Sequence, residues 1–167
     1  MGRFAMPHLV FYENTLSMTR ETLRQAVIAD SIAHQKHVAD TAKAEMDAAQ
    51  QQANDYGPNK DRYDSFRTKI MRSRDMFAKQ YSNAVESIRH LQQLEGSAPT
   101  SAVDYGSIVV TDKQRLFISV GMGKFVSGGE TYFGISANVP VFEAMKGKRA
   151  GESFVFNGVK QTIVDVF

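Results

Sequence analysis

Two periodicities divide the chain. Apolar residues recur at Tyr63, Phe66, Ile70, Phe77, Tyr81, Val85, Ile88, Leu91 and Leu94, in steps of three, four or seven. That spacing draws one stripe down a helix. A weaker stripe precedes it at Leu16, Leu23, Val27, His34, Val38, Ala42, Met46, Ala49 and Ala53, whose small residues allow close approach. Between them Gly57-Pro58 is the strongest breaker, because proline pushes the residue before it out of helical geometry. Helices are therefore expected over residues 14–54 and 59–95, about 60 Å and about 55 Å long at ~1.5 Å per residue, with Asn59 capping the second. Two such stripes joined by a tight turn bury each other by folding back, so the first half reads as an antiparallel coiled-coil hairpin with Gly57-Pro58 at its tip.

Beyond residue 96 the period changes to two. Residues 107–111, 115–120, 131–136, 153–156 and 161–166 alternate over short β-branched and aromatic runs and predict five strands. Gly128-Gly129 and Asn157-Gly158 supply the positive backbone angles of tight hairpin turns. The run from Pro140 to Lys146 suits a short helix stopped by Gly147, and Gly121-Met122-Gly123-Lys124 suits a turn, since it lacks the spacing of a phosphate loop. The expected fold class is α+β: a helical hairpin over residues 1–96, a linker around Gly96-Ser97-Ala98-Pro99, then a small antiparallel sheet with one short helix over 103–167.

Composition narrows the chemistry. The 167 residues include no cysteine, which removes disulfides, thiolate metal sites and thiol nucleophiles together. A charged fraction of 23% and a formal balance of +2 describe an ordinary folded chain and name no partner. No apolar run approaches the ~20 residues of a membrane span, and residues 1–12 lack the long apolar stretch and cleavage site of a leader, so the expected location is the cytoplasm. The Met-Gly start does not complete a myristoylation motif, because Met6 stands where Ser or Thr is required. No serine lies in a nucleophile-elbow pattern, and the chain by itself does not read as an enzyme. His34 and His37 lie three apart without a third ligand in register, a weak signal for a metal.

The hairpin tip carries more. Asp61 and Asp64, three apart at the expected start of the second helix, would share one face and could approach a hard cation such as Mg²⁺. Acids there also offset a helix dipole, and both readings stand on the residues alone. From Lys60 to Lys79 seven bases face three acids, with Lys60, Arg62 and Arg67 nearest the tip. Such a stretch is either a solvated face or a surface that tracks phosphates.

This combination resembles the Gre family of bacterial transcription elongation factors, which pair an N-terminal coiled coil with a C-terminal FKBP-like domain. The resemblance covers nearly the whole chain. Its most specific part is Asn138-Val139-Pro140-Val141-Phe142-Glu143-Ala144-Met145-Lys146-Gly147-Lys148 followed by Gly151-Glu152, which is similar to the family's Asn-Ser-Pro, helix, Gly-Lys, Gly-Asp run. Gly106-Ser107-x-Val109 resembles the opening of the same domain. At the tip, Pro58 stands where the first of the family's two acids would be, Asp61 matches the second, and Asp64 falls on another acidic place. A shifted alignment instead reads Asp61-Arg62-Tyr63-Asp64 as a divergent acidic tip.

The resemblance implies a factor that binds bacterial RNA polymerase at its secondary channel and stimulates cleavage of backtracked transcripts by the polymerase itself. Asp61 and Asp64 would then assist at a Mg²⁺ shared with the polymerase active centre. Val139, Pro140, Val141 and Phe142 would dock on the polymerase, and Lys60, Arg62 and Arg67 would face the channel and its RNA. Nucleic acid would be met only inside that complex, with no membrane partner, and the free chain would be a monomer. An alternative keeps the fold and makes the protein a channel-occupying regulator that inhibits or competes without promoting cleavage. A prolyl isomerase is the weakest reading, because the chain has no tryptophan to floor such a pocket.

Overall fold

A computed structural model describes residues 19–61 and 64–167; the expected start of the first helix and its Leu16 position, together with Arg62 and Tyr63, lie outside the described residues. Helix α1 spans Arg20–Tyr56, 37 residues or about 55 Å. Its alanine- and glutamine-rich sequence favours helix throughout, and the Thr19 hydroxyl caps it by accepting from the Thr22 amide at 3.2 Å. Gly57 ends it at φ +88°, donating its N–H to the Ala53 and Asn54 carbonyls, a backbone angle that a side chain would strain. Helix α2 spans Ser65–Gln92, 28 residues or about 42 Å. It is shorter than the stripe suggests because Asp64, not Asn59, is its N-cap, so α1 closes at Gly57 and α2 opens only at Asp64.

The two helices fold back on each other as an antiparallel hairpin. Near the tip Ala49 and Ala53 pack on Ile70 and Met71, while at the base Val27, Ile28 and Ile32 meet Leu91 and Leu94. Small residues on α1 facing larger ones on α2 explain why only the second stripe is strong in sequence.

The remaining chain forms six strands and a short helix: β1 Ile108–Thr111, β2 Arg115–Ser119, β3 Gly123–Ser127, β4 Glu130–Ser136, α3 Pro140–Met145, β5 Ser153–Phe156 and β6 Val159–Val166. They make one mixed sheet in the order β3-β4-β2-β1-β6-β5. Two expectations are corrected. A sixth strand, β3, occupies part of the expected turn, with Gly123 at φ +71° opposite Gly134. The sheet is also not wholly antiparallel, since β2 and β4 run parallel in register from Arg115↔Tyr132 to Ser119↔Ser136. The cause is topological. The link after β2 carries β3 to the sheet's edge, and the Gly128-Gly129 hairpin then folds β4 back into the gap beside β2. Gly134 is needed where that link passes, because a Cβ there would overlap the Met122 side chain. The Asn157-Gly158 turn joins β5 to β6 with both residues at positive φ, as the sequence predicts.

Both faces of the sheet are covered. Ile108, Phe117, Phe125, Tyr132 and Phe167 pack with Val27, Ile28, Ile32, Leu91 and Leu94, so hairpin base and sheet share a core. On the other face Val109, Leu116, Ile118, Phe154 and Ile163 enclose Phe142 and Met145 of α3 and Val103, which precedes β1. Strand β2 is thus buried on alternate sides, Phe117 toward the hairpin and Leu116 and Ile118 toward α3. Polar contacts reinforce the junction: Ser127 donates to Asp30 at 2.6 Å, and Arg20 pairs with Asp165 at 2.9 Å. No helix among the described residues is long and apolar enough to cross a membrane.

Candidate functional site

The contacts with the sheet fall on the base of the hairpin, which leaves its outer half and its turn projecting by about 30 Å at ~1.5 Å per residue. The turn is built around Asp64. Its Oδ1 accepts from the Arg67 amide at 3.1 Å and from the Tyr56 hydroxyl at 3.3 Å, and its Oδ2 accepts from the Lys60 amide at 3.2 Å. The Asp64 carbonyl also accepts from the Thr68 hydroxyl at 2.8 Å. The residue is only 9% exposed. The Arg67 amide, ahead of the Lys60 amide and the Tyr56 hydroxyl, holds the Asp64 carboxyl below its ordinary pKa by stabilising the ionised form.

Arg67 closes the turn from the other side. Its Nε donates to the Gly57 carbonyl at 2.9 Å and its Nη1 to Asn59 Oδ1 at 3.3 Å. Lys60 places Nζ 4.7 Å from the Tyr56 ring centre, and the Tyr56 and Phe66 rings lie 5.0 Å apart. Burial and then the charge of Asp64 push the Tyr56 phenol pKa up, and the charge of Asp61 adds to them.

The sequence places Asp61 and Asp64 side by side on a helix, and the structure does not. Asp64 is the cap, α2 begins only at Ser65, and Asp61 stands exposed in the turn before it. Asn59 is correspondingly no cap; its side chain serves Arg67 instead. Lys60 and Arg67 converge on the same turn as backbone anchors of Asp64, whereas Arg62 lies outside the described residues. Further along, Arg74 donates to Gln50 at 2.9 Å and pairs with Asp75. Tyr56 and the Gly57 carbonyl belong to the turn and are not singled out by any motif.

The expected docking run divides by depth. Pro140 is exposed at the first position of α3, where a missing N–H costs nothing, and Val139 and Val141 are half-buried. Phe142 is 3% exposed and belongs to the core beneath α3, with Lys146 Nζ 5.6 Å from its ring centre. His34 lies against Phe125, ring centres 6.3 Å apart, and His37 is exposed; neither joins a group of three potential ligands among the described residues.

A second feature had no motif to announce it. A cleft of about 350 Å³ opens where the parallel strands β2 and β4 end and their connections diverge, between Ser119 and Ser136 at the strand ends, Val120 and Ala137 just beyond them, Tyr105, and His90 of α2. Ser119 is 4% exposed, and its hydroxyl has no hydrogen-bond partner among the described residues.

No protein-family model matches the chain, and no curated protein matches it either.

Proposed function

We propose that the protein is a Gre-like factor that docks on bacterial RNA polymerase and sends its hairpin down the secondary channel to stimulate cleavage of backtracked transcripts. The observation that carries this reading is the projecting hairpin, whose turn ends in an exposed carboxylate, Asp61, beside a locally basic α2. A self-packed helical pair is stiff enough to deliver a tip to a buried centre, and the sheet at its base is broad enough to hold it there. In this reading the sheet unit is FKBP-like and docks around Val139, Pro140 and Val141, with Phe142 supporting the loop from beneath. The free protein acts as a monomer in the cytoplasm.

The donor set at the tip fits a hard cation. Asp61 is an exposed carboxylate, the donor type Mg²⁺ prefers, and Asp64 is a second carboxylate whose oxygens accept three hydrogen bonds within the turn. A second ion at such a centre supplies charge stabilisation for the attacking and leaving oxygens of phosphodiester hydrolysis. The chain contributes the approach: Asp61 brings negative charge to the metal side, and Lys60 and Arg67 offset the phosphates that line the route. The polymerase performs the bond cleavage.

One observation favours the alternative, a regulator that fills the channel without promoting cleavage. With Pro58 in place of an acid and the Asp64 carboxylate engaged inside the turn, the tip presents fewer metal-ready oxygens than a two-acid tip would. Both readings share channel entry, which a photo-crosslinker at position 66 of the full chain tests. Crosslinks to the polymerase active-centre subunits are expected; crosslinks confined to the polymerase exterior, or none, would reject both.

A further inference from the structure

Two buried polar side chains among the described residues make no hydrogen bond: the Gln35 carboxamide, on a residue 6% exposed, and the Ser119 hydroxyl, on a residue 4% exposed. They line neighbouring clefts. Ser119 borders the cleft at the end of β2, and Gln35 borders another, of about 260 Å³, between α1 and α2. Gly121, in the link after β2, lines both. On α2, Gln80, Asn83 and Ser87 line the second cleft and His90 the first, in steps of three or four, so one helix face walls the two together. Ser119 follows Phe117 by two on β2, and Ser136 follows Tyr132 by four on β4, so both strand ends turn these serines to the hairpin side of the sheet, away from α3. We propose that the two clefts form one groove at the hairpin base that takes an uncharged, extended peptide segment of a partner protein. The groove lies apart from the tip and does not depend on channel entry.

The lining selects the occupant. No Asp, Glu, Lys or Arg lines either cleft, so a charged ligand would gain no such partner for the water it sheds; Glu86, 3.8 Å from His90 Nε2, stands beside the groove's end. Carboxamides line it instead, on Gln35, Gln80, Asn83 and Asn138. Each carboxamide edge offers a donor beside an acceptor, and each residue of an extended chain offers the same pair in its N–H and C=O. A polyol brings hydroxyl donors that carboxylates accept best, and the groove has none lining it. From Gln80 to His90 the helix face runs about 15 Å, the length of about four or five extended residues at ~3.3 Å each. A bound main chain would satisfy Gln35 directly, and Ser119 after one turn about χ1, and so remove the desolvation cost that both groups carry in the free protein.

The test is an NMR titration of the isotope-labelled full chain with a pool of N-acetylated, C-amidated hexapeptides built from Ser, Thr, Ala, Val, Asn and Gln, beside a titration with maltohexaose. Saturating shifts are expected with the peptides at the Gln35 side-chain NH₂ and at the Ser119 and Gly121 backbone amides, and none with maltohexaose. No shift with the peptides would overturn the proposal. Shifts at these groups with maltohexaose alone would overturn it in favour of a carbohydrate.

Two variants separate a ligand contact from a packing role. Gln35→Leu removes an unsatisfied buried amide, so the melting temperature of the free protein should rise by about 2 to 4 °C while peptide affinity falls about tenfold. Loss of stability and affinity together would make Gln35 a structural residue and overturn the proposal. At Gly121 an added Cβ meets nothing within 4 Å, so Gly121→Leu should melt within about 2 °C of wild type. Its side chain would stand where the two clefts meet and should abolish the saturating shifts. Undiminished peptide binding by Gly121→Leu would overturn the single groove.

Discussion

Arg24 and Gly106 fasten the hairpin to the sheet. The buried Arg24 guanidinium, 2% exposed, donates from Nε at 3.2 Å and Nη2 at 2.9 Å to the Gly106 carbonyl, and from Nη1 at 2.6 Å to the Ser97 carbonyl. One planar fork thus joins α1, the linker and the turn into β1. Gly106 makes this possible by sitting at φ +85°, where an added Cβ would meet Leu94 Cδ2 at 2.9 Å and Arg24 Nη2 at 3.2 Å. Arg24→Ala should cost about 2 to 3 kcal/mol, because it strands the buried Gly106 carbonyl and the half-buried Ser97 carbonyl, and Arg24→Lys should restore only part, having no fork. Gly106→Ala should cost about 1 to 3 kcal/mol from backbone strain and crowding. Urea unfolding of the three variants checks this; values within about 0.5 kcal/mol of wild type would mean the fork is ornamental.

The shared core predicts shared unfolding. Leu91 on α2 is fully buried against sheet residues, so Leu91→Ala should cost about 2 to 5 kcal/mol and should lower the stability of helix and sheet together. Helical circular dichroism and tyrosine fluorescence should then trace one transition in urea. Two separated transitions would show that hairpin and sheet stand independently.

Ser119 offers an opposite sign. Its hydroxyl is buried without a partner among the described residues, and that desolvation is uncompensated. Ser119→Ala should stabilise the protein by about 1 kcal/mol, read as a raised melting temperature. A loss of similar size would mean that the hydroxyl is satisfied in solution.

Acid should loosen the tip before it unfolds the protein. The folded-state pKa of Asp64 is depressed by the hydrogen bonds its ionised form accepts, so its contribution is present above the ordinary carboxylate range. It is lost as the pH falls through the lowered folded value, and Asp64→Asn should remove that part of the acid response. Carbon NMR of the Asp64 carboxyl between about pH 6 and pH 2 reads the midpoint directly, and a midpoint at or above the free-carboxylate value would contradict the hydrogen-bonding seen here.

The hairpin was legible because helix α2 must bury a wide apolar stripe and Gly57-Pro58 leaves the chain one place to reverse. The cap was misread for a physical reason: Asn59 and Asp64 are both good N-cap residues, and an apolar stripe read from Tyr63 onward favours the earlier one. Strand β3 was missed because Gly-Lys-Phe-Val-Ser buries only Phe125 and Ser127, and its opening glycine mimics a turn. Parallel pairing of β2 with β4 was out of reach of local pattern, since it depends on where a later hairpin inserts. The start of α3 at Pro140 was legible, because a proline suits the first position of a helix, but the inward side of Phe142 is a matter of packing that the run itself does not show.

The most direct test of the central claim, that the hairpin delivers Asp61 to a polymerase active centre, is RNA release from a backtracked complex with wild-type protein beside Asp61→Ala, binding being monitored separately. Faster release that disappears in Asp61→Ala while binding survives is the predicted result. Tight binding with unchanged or slowed release, or acceleration that persists in Asp61→Ala, would contradict it.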